Sequence, residues 1–278
     1  MRAVRRHLRE LELLVSLGVI LLVVLVPVYW MALTAVKPDA ELYQTSTLLW
    51  TTDPTLDHFI QLLTTTVFAT QIVNSIFVAV LTTAITAVVS VLAAYSLSRL
   101  RYRGRGSASA AVFFSYLLPP TLLVIPMYAV FGDLGLVNTR WALILGYLTL
   151  TVPFATWLLK GYLATIPTEL EDAALVDGCT HLGAMIRVVL PLAAPGIITA
   201  GLFSFTEAWN EFLYAFIFTT DANVTTGPVG LVSLVKGDVF LWGQIMAGGL
   251  ILTAPILVIY MLAQEYVVGG LTGGAIKG

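Results

Sequence analysis

The side chains able to do chemistry in this chain gather in one stretch. Between Pro167 and Pro191 stand four carboxylates, Glu169, Glu171, Asp172 and Asp177, flanked by two segments apolar enough to cross a bilayer. Two further acids, Glu207 and Glu211, sit one helical turn apart within the second of those segments, beside Trp209 and Asn210. Carboxylates alone offer charge pairing and hydrogen-bond acceptance, and bond-breaking chemistry needs a nucleophile, a base or a metal with them. His7, His58 and His181 fall outside the apolar segments and lack metal-ligand spacing, so neither a catalytic nor a metal site is expected. His58 is expected at the surface. The single Cys179 excludes an internal disulfide and fits a small, partly buried position in the acidic stretch. No Gly-x-x-x-x-Gly-Lys-Ser/Thr loop is present to cradle nucleotide phosphates. What is left is electrostatic docking at the acidic stretch and a polar lining around Glu207 to Glu211.

The acidic stretch must be positioned by short elements. Pro167 ends what precedes it, and Thr168, or Pro167 with it, starts a helix. Three carboxylates in the first turn favour the positive end of its dipole. Leu170, Ala173, Ala174 and Asp177 recur at i, i+3, i+4 and i+7, leaving one side small and mostly apolar. Asp177-Gly178 is a turn signal, after which a second helix runs from about Thr180 to Leu190 and stops before Pro191-Leu192. A helix–turn–helix with a small-residue face and an acidic edge suits docking into a groove on another protein.

These residues also resemble a family. Ala173-Ala174, then Gly178, then Leu190-Pro191, at this spacing, are similar to the EAA loop of binding-protein-dependent ABC importer permeases. Asp172 stands where the family has glutamate, with Glu171 just upstream, and Val188 stands where it has isoleucine. The resemblance implies an ATPase-coupling site of Glu171, Asp172, Ala173, Ala174, Asp177, Gly178, Arg187, Leu190 and Pro191. In it, either Glu171 or Asp172 meets a basic residue of the ATPase.

With 58% hydrophobic and 11% charged residues among 278, the chain lies far outside the soluble range, where about a quarter of residues carry charge. It reads as a single all-α membrane domain spanning 1–278. No basic patch is interleaved with aromatics, so nucleic acid is not an expected partner; membrane lipid is. Six spans are expected, at about 13–35, 72–97, 108–131, 141–159, 196–218 and 243–263. The acidic loop occupies 161–192 and a tail 264–278. Pro119-Pro120 and Pro126 should kink or break the third span. The first run is too long for a cleaved signal peptide and is expected to stay.

With both termini on the inner side, eleven of the fourteen basic residues lie in cytoplasmic segments. They include Arg2, Arg5, Arg6, Arg9, Arg99, Arg101, Arg103, Arg105 and Arg187. Only Lys37, Arg140 and Lys236 fall outside. The positive-inside rule therefore places the termini and the acidic loop in the cytoplasm.

Asn74-Ser75, Ala94-Tyr95 with Arg99-Leu100-Arg101-Tyr102-Arg103-Gly104, Pro153-Phe154, Trp209-Asn210-Glu211-Phe212 and the glycine-rich end from Gly270 extend the resemblance. They are similar to the carbohydrate branch, the maltose-transporter-type second permease subunit. It implies the type I importer permease fold in a bacterial-type inner membrane. It also implies a second homologous permease, an ABC ATPase dimer carrying ATP and Mg, an extracytoplasmic sugar-binding protein and a sugar substrate. The chain itself would bind no cofactor and catalyse no reaction. The tail, through Leu271, Thr272, Gly274 and Lys277, would reach the ATPases. Trp209, Asn210 and Glu211 would line the path or its gate, or form a buried structural network, with Glu207 rated below them. Two rival functions draw on the same acids. A proton-coupled secondary carrier would use Glu207 and Glu211 as its relay, and an intramembrane hydrolase would lack a base.

Overall fold

Inside a bilayer a long apolar run can satisfy its backbone only by bonding to itself, and the chain does so with helices. The computed structural model describes residues 2–44, 49–236 and 239–272. In chain order the helices are α1 (Arg2–Val36), α2 (Asp39–Leu42), α3 (Asp57–Thr65), α4 (Phe68–Arg99), α5 (Arg105–Leu117), α6 (Pro120–Asp133) and α7 (Arg140–Leu163). They continue as α8 (Glu169–Val176), α9 (His181–Ala184), a π-helical turn (Met185–Val189), α10 (Leu190–Asn210), α11 (Leu213–Phe218) and α12 (Gly227–Val232). A hairpin of β1 (Val235–Lys236) and β2 (Val239–Phe240) precedes α13 (Trp242–Thr272). Five stretches are long and apolar enough to cross a membrane, and the pair α5–α6, bent by 97°, makes six when counted as one broken span.

The break has a local cause. Leu118 precedes a proline and is held extended (φ −68°, ψ 126°), Pro119 follows at φ −59°, ψ 127°, and Pro120 then opens α6. Pro126 lies inside α6 without ending it. The Pro120 carbonyl accepts a hydrogen bond from the Tyr214 hydroxyl at 3.2 Å.

Contacts divide the chain into two units, Met1–Ala69 with Leu231–Thr253, and Thr70–Gly230 with Ala254–Gly278. In the first, residues 11–30 of α1 are exposed along their whole length, and Leu33, Thr34 and Ala35 near its end are buried. His58, expected at the surface, is only 4% exposed. Its Nε2 bonds the Lys37 carbonyl at 2.7 Å, and Gly243 leaves room for the ring where any Cβ would collide.

In the second unit α7 is the centre, packed by α10, α5 and α11. Thr86 and Thr151 share a buried hydrogen bond of 2.7 Å, and Ser90 donates to the Val152 carbonyl, tying α4 to α7. Gly196 lets α10 close on α7, because a Cβ there would sit 2.6 Å from the Tyr162 ring. At the other end Asn74 donates to the carbonyls of Asn223 and Thr225, and Ser75 accepts from the Gly227 amide.

One expected boundary is corrected. The helix after the acidic stretch does not stop before Pro191: His181–Asn210 is one span-length run. The π turn explains it. Leu190 bonds back five residues to Met185 rather than four, and the widened turn relieves the clash a proline ring makes with the carbonyl four residues before it. The fifth span accordingly begins earlier than 196. It also breaks at Glu211-Phe212 before resuming as α11.

Candidate functional site

The first helix and the glycine turn of the acidic stretch form where the spacing predicts. Glu169, Glu171 and Asp172 occupy the first turn of α8, where unpaired amides favour negative charge. Thr168 makes no side-chain cap. At the other end Gly178 adopts φ +88°, its amide bonds Leu175 at 3.1 Å and the Cys179 amide bonds Ala174 at 3.0 Å. That pair is the Schellman arrangement, which needs the left-handed backbone that glycine adopts without a Cβ penalty. Thr180 caps the following helix by accepting from the Gly183 amide at 3.1 Å.

Helix α8 has two unlike sides. Glu171 (7% exposed) and Ala174 (9%) face inward. Asp172, Ala173, Asp177 and Gly178 are exposed, and Val176 is 88% exposed. Arg187 and Pro191 are also exposed, and Leu190 packs against the core beneath. A valine this bare beside an alanine and two acids makes a small, acidic, partly apolar surface with none of the described residues packed upon it.

The inward side holds an ion pair the sequence did not predict. The Tyr95 hydroxyl donates to Glu171 Oε1, and Arg99 Nε lies 3.4 Å from Glu171 Oε2. Arg99 Nη2 also donates to the carbonyls of Leu163 (3.1 Å) and Ile166 (2.7 Å), so its charge meets the negative end of α7. Both charged side chains are under 10% exposed. The last turn of α4, the end of α7 and the first turn of α8 are thereby joined at one point. Tyr95 and Arg99 stand four apart on one helical face and both fall in a stretch that carries the family resemblance, two signals that could have singled them out. A core of Leu159, Leu163, Ile166, Met185 and Val189 supports them.

The second predicted cluster divides. Trp209 is 1% exposed and stacks on Phe205 with centroids 5.6 Å apart. Glu211 sits at the break (φ −64°, ψ 126°), where its two oxygens accept from the amides of Tyr214 (2.8 Å) and Ala215 (3.1 Å). It caps α11. Asn210 and Glu207 are exposed on α10; Asn210 donates to the Thr206 carbonyl at 2.9 Å. Of the tail, Gly274 and Lys277 lie outside the described residues, and only the backbone of Leu271 and Thr272, ending α13, is described.

The later helical spans, the broken third span among them, and the acidic helix–Gly–helix between α7 and α10 lie within a stretch that matches a known family. Residues 86–272 match "Binding-protein-dependent transport system inner membrane component". The chain belongs to this family. It is 37% identical over 265 residues to the sulfoquinovosyl glycerol transport system permease protein SmoH of Agrobacterium fabrum, covering 95% of this chain and 93% of that one. It is 34% identical over 273 residues to the trehalose/maltose transport system permease protein MalG of Thermococcus litoralis, covering 96% and 97%. The fold matches a chain of a bacterial ABC transporter that imports the acidic polysaccharide alginate, with TM-score 0.81, 23% identity, and 94% and 97% of the two chains covered. The protein is therefore a multi-pass membrane permease subunit of an ABC importer, with the type I permease fold. A proton-coupled carrier gains no support from these matches.

Proposed function

We propose that this permease forms half of the translocation path of an ATP-driven sugar importer and is driven through α8. The observation that carries the coupling is the division of that helix: one side is pinned internally by Glu171, and the other is left bare at Asp172, Ala173, Val176 and Asp177. Of Glu171 and Asp172, the two acids that the resemblance offers for the ATPase contact, Asp172 is the exposed one and the one to meet a basic residue there. A dimer of ATPases, holding ATP and Mg, sits below. A second homologous permease completes the path, and an extracytoplasmic sugar-binding protein delivers the cargo. The sugar class rests on what relatives such as MalG and SmoH are named for transporting. The basic residues favour cytoplasmic termini, and the tail beyond residue 264 is placed against the ATPases.

Closure of the ATPases would displace α8. Because Arg99 and Tyr95 join α8 to α4 and α7, and Thr180 begins the run into α10, the displacement reaches three spans together. Rigid packing converts a small shift at α8 into a switch between two arrangements of the path. The test is purification of the tagged chain from its native membrane. It should bring down a nucleotide-binding protein, and proteoliposomes of the complex with its binding protein should accumulate a sugar only with ATP. Recovery of the chain without an ATPase, with ATP-independent uptake, would overturn the assignment.

A further inference from the structure

At the level of the 97° break, a pocket of about 110 Å³ opens between α5, α6, α7 and α10. Its polar lining is Glu207, Ser115, Thr149 and Tyr116. Phe203 supplies an apolar wall, with the ring of Phe154 behind it 3.8 Å away and Tyr116 5.3 Å beyond that.

Three facts define what this pocket accepts. Glu207 is exposed on a membrane-spanning helix and makes no hydrogen bond or ion pair with any described residue. A carboxylate on such a span is costly unless it faces water, a polar partner or a ligand. None of the lining residues is basic, and the basic residues of these helices, Arg105, Arg140 and Lys160, stand toward the ends of α5 and α7, with Lys160 donating to the Ser109 hydroxyl. The hydroxyls of Ser115 and Thr149 already donate to the carbonyls of Val112 (2.8 Å) and Gly146 (2.6 Å), so a further partner meets them as acceptors, and Thr149 also meets the Tyr214 hydroxyl. The polar groups here are therefore mainly acceptors, set beside an aromatic wall.

We propose that this pocket is a sugar subsite on the path, taking one ring of a neutral saccharide, with Glu207 accepting from ring hydroxyls and rejecting anionic sugars. A sugar edge supplies hydroxyl donors for Glu207, Ser115 and Thr149, and its C–H face packs on Phe203. A uronate, sulfonate or phosphate would meet an uncompensated negative charge in a site of low dielectric. The volume is well below that of a complete ligand pocket, so this is a subsite and the facing permease supplies the rest. The proposal rests on the sugar-importer function above and narrows it, since relatives are named for both neutral and sulfonated sugars.

The experiment uses the complete importer with its binding protein in proteoliposomes. The probes are radiolabelled maltose, trehalose, N,N′-diacetylchitobiose and digalacturonate, compared for wild type, Glu207→Gln and Glu207→Ala. Wild type should take up at least one neutral probe and exclude digalacturonate. Glu207→Ala should lower neutral uptake about tenfold or more, the loss of a charge-assisted hydrogen bond. The variant complex should assemble with its ATPase at wild-type yield. Glu207→Gln should lose less and should reduce discrimination against digalacturonate. Neutral uptake within twofold of wild type in Glu207→Ala refutes the subsite alone, as does wild-type preference for digalacturonate. Recovery of the chain without an ATPase, with uptake independent of ATP, refutes the importer function and the subsite with it.

Discussion

Glu171→Gln tests most directly how α8 is held. Its carboxylate and the Arg99 guanidinium are each under 10% exposed and 3.4 Å apart. Replacing the acid by an amide leaves a buried cation without its counter-charge, and breaking a buried pair from one side costs about 3–5 kcal/mol. Arg99 keeps its bonds to the carbonyls of Leu163 and Ile166, so the lower figure of about 3 kcal/mol applies. That shifts the equilibrium between docked and undocked α8 by roughly a hundredfold. The loss is local, because the membrane spans do not depend on this contact. Cys179, the chain's only cysteine, is partly exposed just beyond α8 and reports the change. In inverted membrane vesicles, its alkylation by N-ethylmaleimide should quicken by one to two orders of magnitude in Glu171→Gln and in Arg99→Gln. The double variant should react more slowly than either, since two neutral side chains leave no charge stranded. Alkylation within twofold of wild type in both single variants, or a double variant faster than both, would refute the role given to this pair.

Other perturbations separate the remaining roles. Ala173→Leu adds bulk on the bare side of α8, and Gly178→Asp forces a side chain to φ +88° at a cost of about 1–2 kcal/mol. Both should leave the spans inserted while retained ATPase and sugar-stimulated hydrolysis fall, and unchanged coupling in both would refute docking there. Gly196→Val puts a Cβ 2.6 Å from the Tyr162 ring and should destabilise the α7–α10 contact by about 1–3 kcal/mol. The measurement is the Tm of the purified complex, and Tyr162→Ala should recover part of the loss. Glu211→Ala removes the acceptor for two amides at the start of α11 and should cost about 1–2 kcal/mol, seen as less assembled complex. Asn210→Ala should leave assembly intact and change uptake alone. An impermeant thiol reagent should fail to label Cys179 in intact cells and should label it in inverted vesicles; labelling in intact cells would overturn the cytoplasmic placement.

Much of this molecule was legible in its residues because the governing forces are local. Apolar length makes spans, and Pro119-Pro120 breaks the third, since a residue before proline is driven out of the helical region. Asp177-Gly178 makes the turn because the chain there needs a left-handed backbone. The spacing of Ala173-Ala174, Gly178 and Leu190-Pro191 pointed to the family. Long-range partners were not legible. Glu171 and Asp172 are adjacent acids in one helical turn, and only the approach of Tyr95 and Arg99, seventy residues earlier, makes one internal and leaves the other bare. Pro191 looked like a helix end, and a π turn carries the helix through it. Glu211 ranked above Glu207 by motif, yet the amides of Tyr214 and Ala215 occupy the first while the second faces a void. The spans, the turn and the positions of the acids depend on near neighbours and on water or lipid, so they can be read along the chain. Which acid is neutralised, capped or left open to a ligand depends on groups from distant segments that packing brings together, and no local pattern carries that information.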